Sequence, residues 1–374
     1  MNDGTQRFRA LDGLRGLAAL MVVAQHICAV FVPVLVGAAP LALARRQPLA
    51  AHLAQTPFII LVGGNLAVCT FFVLSGFVLS AAFHRSRQRA RLVYTAAARY
   101  PRLMLPVLAS ILLTASLQML HLLPSRAVAQ LTGSWFWLAP QWQFPPTWSE
   151  AVYAGAWRVF FHGPYLAGQD PWRIIYNVSL WTMQVEIIGS FILVALLFVA
   201  GRWRGRWRAI GYAVAALVCI KSYYVGFIFG IALCDLWTSR PSVLKAVRPW
   251  RWWLLGLALG LGAWQRTVYR GFPTWYDRFR LPGWSALDMQ ILAHLLAAAA
   301  IITLMLVWGR PQRWFEQPAL QWLGRQSFAI YLLHVPLLGG LAGGLYLWWR
   351  PSLGPVAAPL VVVPVFLAAL LTLS

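Results

Sequence analysis

Along the chain, long apolar stretches alternate with short basic segments and with longer segments rich in Trp, Pro and Gly. An α-helix needs ~20 apolar residues to cross ~30 Å of hydrocarbon. Runs near that length are predicted at 11–32, 57–83, 103–123, 177–200, 209–221, 222–238, 252–268, 290–308, 327–349 and 356–374. The fifth and sixth flank Lys221 and are short, so they read either as half-crossing helices or as one tight hairpin. The predicted fold is all-α: a single integral-membrane domain over residues 1–374, with about ten transmembrane helices and long extracytoplasmic loops. No internal repeat or low-complexity tract interrupts this pattern.

Composition supports the membrane reading. Hydrophobic residues make up 60% of the 374, charged ones only 11%, and the mean hydropathy is +0.66. The net charge of +22 would point to nucleic acid on a soluble chain. Here most of the 31 Lys and Arg fall in the N-terminal tail, 84–102, 201–208, 239–251 and 309–326. Taken as one side, these segments follow the positive-inside bias and place both termini in the cytoplasm. The opposite segments, 33–56, 124–176 and 265–289, read as loops or re-entrant pieces over a cavity. The 21 Trp fit interfacial belts. Cys28, Cys69, Cys219 and Cys234 lie in apolar runs without metal-ligand spacing and read as small hydrophobes. The N-terminus lacks the pattern of a cleaved signal peptide, so the first span is expected to stay as an anchor.

Several ionisable groups lie where lipid should exclude them. RALDGLRGLAALMVVAQHICAVFV, residues 9–32, carries Asp12, Arg15 and His26. Arg15 can snorkel to the headgroups. His26 follows 11 residues later, which on an α-helix is about three turns, so both project from one face about 16 Å apart. A packed core histidine would satisfy the same spacing, and so would a base. Glu186, in SLWTMQVEIIGSFILVALLFVA, is a second costly group, to be read as functional or as polar glue between helices. Counted from opposite ends of their spans, His26 and Glu186 reach similar depth, which predicts that they pair. Arg99 and Arg102, in ARYPR, place two guanidinium forks at the mouth of the third span, well suited to phosphate and equally compatible with topology alone. Ser75 and Gly76 suggest a close helix contact, His334 lies within the ninth span, and Asp235 reads as a boundary residue. Asp12 reads as a helix cap or an ion-pair partner.

Taken together, LDGLRGLAALMVVAQH, FFVLSGFVLS, ARYPR, SLWTMQVEI and GRQSFAIYLLHVP, in this order from residue 11 to 336, resemble the integral-membrane acyltransferase-3 family, which includes bacterial O-acetyltransferases of surface polysaccharides. The resemblance implies about ten transmembrane helices in a bacterial inner (plasma) membrane. It also implies a cytoplasmic acyl-CoA donor, most simply acetyl-CoA, and an acceptor hydroxyl on an extracytoplasmic glycan or lipid-linked sugar. Some relatives carry a fused esterase-like domain. This chain ends at LLTLS within its last apolar run, so no such domain is expected. The residues after the Glu in MQVEII depart from the usual pattern, which bears on the acceptor more than on the reaction.

On these expectations Arg15, Arg99 and Arg102 bind the donor phosphates, and His26 acts as general base or takes the acyl group itself. Glu186 orients the imidazole, and His334 serves a second step or a packing contact. No metal is expected. Membrane lipids are partners, nucleic acid is not, and a homo-oligomer is compatible with the sequence. The competing reading is a proton-coupled transporter or flippase in which His26 and Glu186 form a relay. It calls for paired broken helices in inverted halves, and no such symmetry is visible.

Overall fold

The computed structural model describes residues 8–162, 176–266, 269, 274–279 and 281–374. Among them the regular structure is helical throughout. Ten helices carry the architecture: α1 (Arg9–Phe31), α2 (Gly64–Ser86), α3 (Arg89–Met119), α4 (Trp181–Ala200), α5 (Gly205–Val218), α6 (Tyr224–Ser239), α7 (Arg251–Gly262), α8 (Ala286–Val307), α9 (Pro318–Leu337) and α10 (Gly343–Leu373). Short helices at Leu41–Arg46, Pro48–Leu53, Ser125–Thr132 and Trp148–Tyr153 occupy two of the predicted outer loops. Residues 163–175 of the second loop, and part of 265–289, lie outside the described residues.

Six helical segments among the described residues are long and apolar enough to cross a membrane: Arg9–Phe31, Gly64–Ser86, Arg89–Met119, Val178–Ala200, Ala286–Val307 and Pro318–Leu373. The expected count of ten is not reached on this criterion, for two physical reasons. Helices α5, α6 and α7, at 14, 16 and 12 residues, fall short of the ~20 needed for the hydrocarbon core. The last segment runs for 56 residues, roughly 84 Å if it were one straight helix. It is broken at Gly354, whose φ of 82° and ψ of 173° leave the helical region. That break separates the predicted spans 327–349 and 356–374. Beyond it Ala358, Val362, Phe366 and Leu370 form a fourfold-spaced stripe in the same apolar cluster as Ile330, Val335, Leu338 and Tyr346.

Two further boundaries move. Residues 57–62, expected to open the second span, form a 3-10 turn ahead of α2. The basic segment before the third span is helical from Arg89, because its Arg, Ala, Leu and Tyr residues favour a helix more than a loop. Arg99 and Arg102 therefore sit on a continuous helix, one turn apart.

Glycine sets the closest helix contacts, as expected where lipid supplies no driving force for association. On α1 and α9, a Cβ at Gly16 would stand 2.6 Å from the Gly324 nitrogen, and one at Gly324 would strike the Asp12 carbonyl. On α2 and α6, Gly76 faces the Phe227 carbonyl and Gly230 faces the Val73 carbonyl in the same way. Gly76 thus makes the close contact its sequence suggests. Asp235 is more than a boundary residue. It accepts from Arg208 Nε at 2.6 Å, Arg87 Nη2 at 3.1 Å and Ser239 Oγ at 2.9 Å, tying the end of α2 to α5 and α6.

Candidate functional site

A cavity of about 270 Å³ opens between α1, α2, α3, α4 and α9. Arg15, Arg99, Arg102 and Glu186 all face it, so four of the six predicted site residues converge on one space. Arg325 joins them, on the turn of α9 that Gly324 brings against α1. Sequence alone gave no reason to separate Arg325 from the other basic residues of 309–326. Arg102 and Arg325 are exposed at the mouth, while Arg15 and Arg99 lie half-buried further in. Four guanidinium groups against one carboxylate leave the cavity strongly positive.

Glu186 is buried and hydrogen-bonded. Ser75 Oγ donates to Glu186 Oε1 at 2.5 Å, and Arg99 Nη2 donates to the same oxygen. Arg99 Nε donates to Ser190 Oγ at 3.1 Å, and Ser190 Oγ in turn donates to the Glu186 carbonyl at 2.6 Å. The carboxylate therefore fixes Arg99 through a charge-assisted bond. Its hydrogen bonds do not reach His26, so the expected pairing of Glu186 with His26 is replaced by Glu186 with Arg99. Arg15, Arg102 and Arg325 form no hydrogen bond or ion pair among the described residues, which leaves their donors free for a ligand.

His26 instead meets His334. Nδ1 of His26 lies 2.8 Å from Nε2 of His334, with the rings nearly parallel at 6° and their centroids 5.0 Å apart. On its other side His26 stacks on Trp137, in the segment between α3 and α4, 4.9 Å between centroids. Both histidines lie ten residues beyond the glycines that join their helices: Gly16 to His26 on α1, and Gly324 to His334 on α9. The two helices are therefore parallel and in register, with an arginine near the crossing and a histidine about 15 Å further along each.

The proton positions follow from the partners. His334 Nδ1 faces two carbonyl acceptors, Tyr331 O at 2.7 Å and Ile330 O at 3.2 Å, so it carries the hydrogen. Nε2 of His334 is then an acceptor, and Nδ1 of His26 must donate to it. In the neutral pair this leaves the lone pair of His26 on Nε2. His334 occupies the orienting position that a carboxylate holds beside a base in hydrolase triads.

The backbone around His334 is arranged for this. Pro336 has no N–H, so it frees the Leu332 carbonyl from the helical ladder. Ser110 Oγ and Asn177 Nδ2 take the vacated position, at 2.8 Å and 2.9 Å. Directly after, residues Leu338–Ala342 widen into a π-turn. Tyr331 connects the two parts of the site: its ring lines the cavity, its hydroxyl donates to Ser179 O, and its carbonyl receives His334 Nδ1.

The cationic cavity and the histidine pair lie along the same two helices, α1 and α9, although neither histidine is among the described residues lining the cavity. The chain belongs to the acyltransferase-3 family, whose acyltransferase domain matches residues 8–374, and it is an acyltransferase. It is similar to the O-acetyltransferase PaAT-1 of Phomopsis amygdali, 28% identical over 390 residues that cover 90% of this chain and 73% of that protein. No solved structure matches it.

Proposed function

We propose that this protein transfers an acetyl or other short acyl group from acyl-CoA to a hydroxyl group of a carbohydrate or lipid-linked glycan. The observation that carries the reading is the pairing of a four-arginine cavity with a histidine whose Nε2 is left unprotonated by its neighbour. The free guanidinium groups of Arg15, Arg102 and Arg325 match the bidentate geometry of phosphate. A cavity of about 270 Å³ lies just below the ~300–1,000 Å³ usual for ligand sites. It suits the narrow pantetheine arm, with the nucleotide at the exposed mouth beside Arg102 and Arg325. The positive-inside bias puts that mouth, and both termini, on the cytoplasmic side of a plasma membrane. His26 then lies toward the opposite face, beneath the outer loop that supplies Trp137.

In the reaction, His26 Nε2 removes the proton of the acceptor hydroxyl as its oxygen attacks the thioester carbonyl carbon. The tetrahedral intermediate collapses with cleavage of the C–S bond, and the imidazolium returns the proton to the departing sulfur. The products are the ester and free CoA. His334 holds the His26 ring in the productive tautomer throughout. Glu186 acts one step away, holding Arg99 against the donor. The test is thiol release by the purified protein in detergent with acetyl-CoA, with and without acceptor. Loss of release in a His26→Ala variant that inserts and purifies normally is the expected result. Release at wild-type rate in that variant would refute the mechanism.

A further inference from the structure

A second pocket lies on the other side of α1 from the crossing with α9, between the start of α2, the middle of α8 and the segments 35–37 and 54–63. Its polar lining is Gln25, Asn65, Gln265, Gln290, His294 and Tyr269, and among the described residues lining it none is Asp, Glu, Lys or Arg. Gln25 directly precedes His26. The pocket also comes close to the donor cavity along α2: that cavity extends to Val68, and this pocket begins at Asn65, one turn away on the same face.

Some of these groups form a fixed wall. Asn65 Nδ2 donates to His294 Nδ1 at 2.8 Å, and His294 Nε2 donates to Trp264 O at 3.0 Å. Tyr223 OH donates to Asn65 Oδ1 at 2.7 Å. His294 thus has both ring nitrogens spent and no lone pair to act as a base. Gln290 spends Nε2 on Trp264 O at 3.1 Å. By contrast, the side-chain amides of Gln25 and Gln265 have no hydrogen-bond partner among the described residues. Gly64 makes the space for one of them, because a Cβ there would run into Gln25 Oε1.

We infer that this pocket binds the hydroxyl edge of the acceptor, a neutral polyhydroxylated unit of the carbohydrate class. This rests on the acyl-transfer reading. Uncharged amides offering both donors and acceptors match hydroxyl groups, which also do both, whereas an anionic or cationic ligand would meet no counter-charge. The volume of about 60 Å³ holds about four waters at the ~10–15 Å³ each requires, and the hydroxyls of one sugar edge replace such waters. The acceptor is thereby held against the α1 turn that carries His26, while the donor arrives along α2 from the arginine side.

The experiment uses the full-length protein in detergent with acetyl-CoA and methyl β-glucoside as the acceptor probe, following both CoA release and ester formation. The expected result is saturable ester formation, with Gln25→Leu and Gln265→Leu each raising the half-saturating glucoside concentration at least tenfold and leaving that of acetyl-CoA within twofold. Gly64→Ala should act in the same direction by displacing the Gln25 amide, and Gln25→Asn serves if the leucine variant does not fold. Unchanged glucoside dependence in these variants overturns the pocket assignment. So does a wild-type protein that releases CoA to water but forms no glucoside ester. A wild-type protein that releases no CoA under either condition would instead remove the acyl-transfer reading itself.

Discussion

Glu186 and His334 are both buried ionisable residues on helices that line the same cavity, and the fold treats them in opposite ways. Glu186 is matched with a charge: Arg99 and Ser75 converge on its Oε1, and the cavity holds three more guanidinium groups. His334 is matched with neutral groups only, two backbone carbonyls on one side and the His26 ring on the other. A charged pair withstands burial because each ion is the other's counter-charge. A base that must give and take a proton is better served by a neutral relay, where no fixed ion pins the proton on one side. Under the proposed function, the arginine end binds the donor and the histidine end carries the reaction.

Breaking the reactive end should cost most. His26→Ala should lower turnover by about 10²–10⁴-fold or to background, the usual contribution of a general base, as measured by CoA release at saturating donor. His334→Ala should lower kcat by a smaller factor, about tenfold or more, while leaving the donor KM unchanged. A donor KM that rose with no loss of kcat would place His334 in binding instead. Glu186→Gln leaves Arg99 without its buried counter-charge and should destabilise the protein by about 3–5 kcal/mol. A thermal melt unchanged from wild type would contradict the pairing. Arg99→Lys with Arg102→Lys should raise the donor KM several-fold through loss of bidentate geometry, with kcat near wild type. The smallest change is expected from Pro336→Ala, which returns a backbone donor to Leu332 O and loosens the hold of Ser110 and Asn177. A modest fall in kcat without a shift in donor KM would show that this carbonyl helps aim His334.

Much of the binding end was legible in the sequence. Arg15, Arg99, Arg102 and Glu186 stand out because lipid penalises charge, and their depth along each span is countable. Which helix neighbours which is not written in span depth, so Glu186 and His26 at similar depth were expected to meet, while His334 was left between two roles. The missing signal is in the spacing: a glycine ten residues before a histidine occurs in both α1 and α9, at Gly16 with His26 and at Gly324 with His334. Two parallel helices joined at such glycines bring the histidines together. Arg325 was hidden by its company, since a basic residue near a helix end is the commonest thing in a membrane protein. The span count falls short of ten on length for a different reason. Hydropathy registers apolar composition over a window, whereas α5, α6 and α7 are limited by where their hydrogen-bonded ladders stop.

His26 and His334 are separated by 308 residues, and nearly the whole chain is synthesised between them. The first helix enters the membrane with its histidine unsupported, and its partner emerges only with α9. A ribosome-bound or truncated chain ending before α9 therefore lacks both the histidine partner of His26 and the Arg325 side of the cavity. The register of Gly16 against Gly324 thus makes the cavity and the histidine pair alike the product of a late helix docking onto the first one.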